Sequence, residues 1–400
     1  MWGCWSRNKC TQGVREPILT VSPRALLEVQ ATRLSTMTSA DEQEEAPTMR
    51  ILVATDCIGA LSSRQAGGVI GSGWLPGAEV SVLPIGEAGS GFVAAFADLA
   101  GVATSSQVVD GIIVTTGSGP DTGLVQVLGS SRGVGIPYEQ SSRPIGEAIA
   151  ALAGNQGIGR IVVDLAGLWV HDAGAGMLSA LGAIGDRRLD QGVDGLDGLS
   201  ELDLAPARAL LGEIQLIGVV PVAQRDVPLL GLRGITARAG REANVEPDRM
   251  LRTDAALEAF ARLASPTQVA ASGAGACGGL GFAVLALGGA LSTGPALALA
   301  SAEGRAALRE VDLVVTGCSV FDFASRGGGV VAAMAGAAAS ALSPCIVIAG
   351  EVLIGSREMR TMGIEAAYAV RESTLDERRG NIRSEELAAT AQRVARSWSW

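Results

Sequence analysis

Seven short runs of aliphatic and β-branched residues recur along the chain, at Ile51–Ala54, Val80–Leu83, Gly111–Thr115, Arg160–Leu165, Gln215–Val220, Val311–Thr316 and Cys345–Ala349. Runs of this kind, with little polar alternation, fit strands covered on both faces, which is the condition of a parallel sheet. Between them lie stretches with helical spacing: Ser62–Gly73, Gly91–Leu99, Ile145–Ala153, Gly176–Leu181, Thr253–Leu263, Gly281–Ala290, Thr293–Leu299 and Glu385–Ala395. Parallel neighbours need a crossover, and a helix supplies it, so this alternation confines the chain to the α/β class with a mostly parallel sheet. A length of 400 residues leaves room for two domains.

Aromatic residues make up 4% of a chain that is 48% hydrophobic, so Ala, Val, Leu and Ile must build the core. Val330–Ala349 and Val269–Ala300 are apolar enough in length for a membrane span. Gly327-Gly328-Gly329 and Pro344 instead divide the first into a loop, a buried helix and a strand. A net charge of −10 argues against a nucleic-acid partner, whose phosphates demand a basic face. The six cysteines form no C-x-x-C pair, and the single histidine, His171, cannot anchor a zinc cluster. They read as buried thiols of a reducing cytoplasm. No apolar run follows Arg7 and Lys9, so no signal peptide is expected. Residues 1–48 read as a polar tail ending in the acidic run Asp41–Glu45, either disordered or upstream of a misassigned start, with the folded body opening at Met49. The Asp- and Gly-rich stretch 186–204 reads as an exposed turn or hairpin.

Two glycine clusters, GAGACGGLG at Gly273–Gly281 and HDAGAGM at His171–Met177, stand out as sites where bare backbone amides can approach a ligand. Successive amides form a positive concavity, which points to a small anionic, phosphate-bearing metabolite. Gly273-x-Gly275-x-x-Gly278 formally matches a dinucleotide fingerprint. Only the short strand Val269–Ala271 precedes it, and no acid follows at the distance where a ribose partner is expected. A P-loop is excluded, because that motif requires a lysine and the only lysine in the chain is Lys9. Asp56, Asp172 and Asp322 each follow a strand run. Carboxylates so placed point into the ligand crevice of an α/β sheet, or cap a turn. His171, beside Asp172, is either a base near neutrality or a structural histidine.

Taken in order, these segments resemble the bacterial class I glycerate kinase family. ATDCIGALS at Ala54–Ser62 is similar to the family's APDSFKGSLS, and LPIGEAGSGF at Leu83–Phe92 to LPMADGGEGT. AGLWVHDAGAGML at Ala166–Leu178 is similar to GGSATNDGGAGML, and VPLLGLRGI at Val227–Ile235 to NPLxGxxGA. GAGACGGLG is nearly intact, TGCSVFDFASRGGG at Thr316–Gly329 is similar to TGEGRIDxQTxxGK, and GIEAAYAV at Gly363–Val370 also fits.

The resemblance implies two α/β domains, a flavodoxin-like mostly parallel sheet from 49–115 and 265–400 with a second α/β domain inserted at 116–264, and a site in the cleft. It implies transfer of the γ-phosphoryl of ATP to a hydroxyl of D-glycerate, giving ADP and 2-phosphoglycerate with Mg²⁺. On this reading Asp56, Asp172 and Asp322 are catalytic, and Asp172 also holds the metal. Gly174, Gly176, Gly273, Gly275, Gly278 and Gly279 meet the nucleotide, and His171, Glu87 and Arg326 meet the acid. The implied partners are a small organic acid and a nucleotide, with no nucleic acid and no membrane. The departures fall in the loops. The first lacks its lysine, the DGGEG acids shrink to Glu87, and the polar residues before Asp172 become Leu168, Val170 and His171. Cys318, Val320 and Gly329 replace an acid, an arginine and a lysine. A scaffold kept while polar side chains are lost is the pattern of a divergent paralogue. A catalytically impaired protein that binds a sugar acid or nucleotide therefore stands as the alternative.

Overall fold

The computed structural model describes residues 48–89, 91–129, 133–324, 326–371 and 382–399; the tail expected before Thr48 lies outside them. Its strands are β1 (Met49–Thr55), β2 (Ala78–Val82), β3 (Ala103–Val109), β4 (Ile112–Ser118), β5 (Thr122–Leu128), β6 (Arg160–Asp164), β7 (Ile184–Gly185), β8 (Leu202–Asp203), β9 (Gln215–Val219), β10 (Ala290–Ser292), β11 (Leu313–Gly317), β12 (Val320–Asp322), β13 (Cys345–Ala349), β14 (Glu351–Leu353) and β15 (Ala366–Ala369).

Five of them form an all-parallel sheet in the order β15-β13-β11-β1-β2. Counted by chain position this is the flavodoxin-like order 2-1-3-4-5. The period of two along a strand explains why β1 is apolar throughout. Leu52 and Ala54 share a core with Val330, Val331 and Met334 of the helix Gly328–Ser340. Ile51 and Val53 pack on the other face with Ala66 and Ile70 of the helix Ser63–Gly71 and with Leu387, Ala391 and Val394 of the helix Ser384–Ala395. Each such side chain contributes about 1.5–3 kcal/mol of apolar burial.

The second sheet has six strands in the order β10-β9-β6-β5-β4-β3. β10, β9, β6 and β5 are parallel, while β4 and β3 extend the edge as an antiparallel meander. Its strands come from residues 103–292, a wider span than the 116–264 expected for an inserted domain. β3 and β5 carry little strand signal in the sequence. The β3 residues ATSSQVV are exposed along their whole length, and β5 is interrupted by Gly123 and Gln126. The stretch 186–204 is closed by pairing of β7 with β8, as a hairpin would be; its charged residues are mostly exposed as expected, but its apolar residues turn inward. Leu189, Val193, Leu196 and Leu199 are buried in the core of the second sheet. Charged residues alternate there with leucines at short spacing, and the leucines decide the outcome. Among the described residues no helix is long and apolar enough to cross a membrane.

Candidate active site

The five-stranded sheet reverses its direction of winding between β1 and β11. From β1 the chain passes to β2 on one side, and from β11 to β13 on the other. Ligands of open α/β sheets bind beyond the carboxyl ends of the strands at such a reversal. Asp56 stands there, one residue past β1, with its amide donating to the Gly317 carbonyl of β11 at 2.9 Å. The loop it opens is fixed at its far end by a capping box between Ser62 and Gln65. Asp56 Oδ1 accepts from the Cys57 amide at 2.8 Å. That bond is too little to offset burial, which pushes the carboxyl up from 3.8 to about 6. Burial also raises the thiols of Cys57, to about 11, and of Cys318, to about 12. The charges of Asp56 and Asp322 both act on Cys318, so these two acids face a common neighbour. The hydroxyls of Thr55 and Thr316, on the same two strand ends, are buried without a partner among the described residues.

The loop after β2 closes this crevice and ties it to the second sheet. Gly89 donates its amide to both oxygens of Asp164, at 2.9 and 3.1 Å. Asp164 ends β6 and also accepts from Ala166 and from the Gln126 amide group. Glu87 Oε1 accepts from the Val222 amide at 2.7 Å, whereas its Oε2 is buried with no partner among the described residues. Burial raises the Glu87 carboxyl, and the charges of Asp56 and Asp164 raise it further. The crevice therefore brings Asp56 and Asp164 within electrostatic reach of Glu87. Asp164 escaped the sequence reading, although its setting, an aspartate ending an apolar run, is the one that singled out Asp56. Glu87 Oε2 lies 1.8 Å from where a Cβ on Gly329 would stand. A side chain on residue 329, where the resemblance has a lysine, would therefore require the Glu87 carboxylate to move. Gly328, with φ 78°, has open space beside it at the start of a 13-residue helix, and the exposed Arg326 sits in the turn before it.

Asp172 is held by the backbone and side chain of the loops around it. It is fully buried, and its Oδ2 accepts from the Ser142 amide and hydroxyl, both at 2.8 Å, and from the Gly176 amide at 3.1 Å. Its Oδ1 accepts from the Gly174 amide at 3.0 Å. Four donors leave little capacity for a metal or a proton. Burial raises its pKa and these bonds oppose the rise. The six glycines expected at the nucleotide also serve packing. At Gly174, Gly176, Gly273, Gly275, Gly278 and Gly279 a Cβ would meet another protein atom at 1.8–2.8 Å, the closest being the Val170 carbonyl beside Gly278. Glycine here lets two loops of the chain approach each other.

That approach builds the floor of a cavity of about 220 Å³ lined by Trp169, Val170, His171, Gln224, Val227, Ile235, Arg238 and Gly278 among others. A smaller neighbour of about 130 Å³ shares Trp169, Val170, Gln224 and Gly278 and reaches Ala166. His171 is 3% exposed, and its Nε2 lies 3.0 Å from the Thr236 hydroxyl. Burial lowers its pKa to about 4, so the ring is neutral at pH 7. Among the described residues no group of three His, Cys, Asp or Glu side chains is arranged to hold a metal by itself.

A flavodoxin-like sheet whose switch point carries carboxylates, closed by a second α/β layer, defines an α/β protein with a small-molecule crevice. The chain belongs to the glycerate kinase family, whose model matches residues 51–399. It is 31% identical over 348 residues to an uncharacterized protein of Mycobacterium bovis, covering 82% of this chain and 85% of that one. It is 28% identical to the glycerate kinase of Bacillus subtilis, covering 80% of this chain and 90% of the relative. Among solved structures, a protein from Salmonella typhimurium LT2 assigned as glycerate kinase 2 superposes with a TM-score of 0.72 at 25% identity, over 88% of this chain and 98% of that one.

Proposed function

We propose that the chain is a phosphotransferase of the glycerate kinase type, moving the γ-phosphoryl of ATP to the 2-hydroxyl of D-glycerate to give ADP and 2-phosphoglycerate. The observation that carries this reading is Asp56, a carboxylate that burial lifts to about 6, at the switch point of the sheet in a chain 28% identical to a named glycerate kinase. A base poised close to neutrality matches the task of accepting a hydroxyl proton. In the reaction the hydroxyl oxygen forms a bond to the γ-phosphorus, the bond from that phosphorus to the β-phosphate oxygen breaks, and the proton passes to Asp56. The amides at the open start of the helix Gly328–Ser340, with Arg326, are the groups placed to receive phosphate.

The residues present fit a divalent cation at Glu87, whose buried Oε2 lacks a partner, leaving Asp56 to take the proton; they do not fit one at Asp172. Mg²⁺ needs only one or two carboxylates when phosphates complete its shell, and when bound it neutralises charge on the transferred group. A second reading, binding without transfer, draws on the absence of any lysine beyond Lys9. An ADP-release assay on the full chain with D-glycerate separates the two. Turnover is expected to rise with pH through about 6 as Asp56 ionises. Asp56→Asn is expected to lose about 10²–10⁴-fold in kcat. Ligand binding without ADP release on any hydroxy acid would leave the binder.

A further inference from the structure

β3 is the outer strand of the six-stranded sheet, and all seven of its residues, ATSSQVV, are exposed. An edge strand presents unpaired N–H and C=O groups, and proteins blunt such edges with charges, prolines, bulges, short length or a covering element. β3 carries no charge and no proline, and its register with β4 runs unbroken from Ala103 opposite Ser118 to Val109 opposite Ile112. The other edges of the two main sheets are guarded. β10 is three residues long, β15 is four residues long and half-buried, and β2 carries Glu79. The helix Arg143–Ala153 stands off from the β3–β4 hairpin across a groove of about 480 Å³ that Gln107, Val109, Ile112 and Val114 line. On the opposite face Val108 is 73% exposed and its cross-strand partner Ile113 42%.

The hairpin fixes which groups face outward. Asp110 and Gly111, with φ of 50° and 77°, form a two-residue turn of type I′. Such a turn closes on a hydrogen-bonded pair, here Val109 and Ile112, and hydrogen-bonded pairs alternate from there. Ala103, Ser105, Gln107 and Val109 therefore turn their main-chain groups to β4, while Thr104, Ser106 and Val108 turn theirs to the open edge. These outward residues are symmetric about Ser106. An antiparallel copy of β3 centred there sets Ser106 against Ser106 and Thr104 against Val108, which closes about six main-chain hydrogen bonds. A centre at Ser105 or Gln107 closes only about four. Charge agrees with the Ser106 centre. β3 contributes none, and Asp110 meets Val102 of the copy rather than its own image. Val108 of each copy lies against Thr104 of the other, which covers apolar surface now in solvent.

We propose that β3 is the interface of a two-fold dimer of this chain, in which two copies pair antiparallel about Ser106 and join their six-stranded sheets into one. The contact is small, so its strength falls at the weak end for specific interfaces. Sedimentation velocity of the full chain from about 1 to 100 μM is expected to show a concentration-dependent species of twice the 40.5 kDa chain mass. Ser106→Lys and Ser106→Glu each set like charges face to face on the axis, at an exposed position whose side-chain bond, to the Thr115 hydroxyl at 2.8 Å, lies within the hairpin. Each variant alone is expected to dimerise at least about tenfold more weakly, with melting as the check on its fold. An equimolar mixture of the two sets Lys against Glu and is expected to regain the dimer, a rescue that this register alone provides. A monomer at every concentration overturns the proposal and leaves the edge to another chain or to none. A dimer indifferent to both substitutions, or one that the mixture does not restore, places the interface elsewhere and overturns it as well.

Discussion

At pH 8 Asp56 is charged in surroundings that favour its neutral form, since burial lifts its pKa from 3.8 to about 6. A folded-state pKa above the unfolded one means that the folded protein binds the proton more tightly. The associated stability is present below about 3.8 and is lost as pH rises through about 6. A difference of this size bounds the loss at about 3 kcal/mol, less where solvent still reaches the group. Asp56→Asn is therefore expected to stabilise the protein by about 1–3 kcal/mol at pH 8 and to leave it unchanged at pH 4. Urea unfolding at the two pH values checks this, and equal stability gains at both would sink it. The same charge that costs stability is the one a general base needs. At this scale the sequence was informative, because an aspartate ending an apolar strand run is legible as such. The burial that tunes it was not legible, since Cys57, Cys318 and the loop after β2 come together only in the fold.

The glycine loops and Asp172 form one packed element. The carboxylate ties Ser142, Gly174 and Gly176 together at the start of the helix Ala175–Ala180. Asp172→Ala strips several buried donors of their acceptor at once, and a loss of about 3–5 kcal/mol is expected by chemical denaturation. A loss below about 1 kcal/mol would return Asp172 to the reacting groups. Gly278→Ala meets both a positive φ of 70° and the Val170 carbonyl, and is expected to cost more than about 2 kcal/mol and to disturb the cavity. The sequence pattern identified these loops correctly as places of close backbone approach. What approaches is another loop of the same chain, and glycine spacing carries no information about which partner an amide meets. The resemblance placed Asp172 among the reacting groups, yet four donors engage it, two of them amides of its own turn and two from Ser142, 30 residues away in the chain.

Across the whole molecule the two sheets are joined at the acid crevice. The Gly89 amide on Asp164 and the Val222 amide on Glu87 span separations of 75 and 135 residues. Asp164→Ala removes the acceptor that holds the loop after β2 against the second sheet. Amide exchange at residues 86–89 is expected to accelerate by about tenfold or more while β1 and β11 stay protected, and ADP release is expected to fall. Unchanged exchange in that loop would show that the sheets are held without this bond. The sequence by itself determined the α/β class, the buried strands β1, β11 and β13, and the strand-end place of Asp56, because side-chain periodicity and strand-end chemistry are local. Only the tertiary structure decided that β3 and β5 are strands, that Asp164 and Glu87 join Asp56, and that the glycine loops pack on each other. Each of these depends on contacts between residues far apart in the chain. There the partner that buries a group or completes a ladder determines its role.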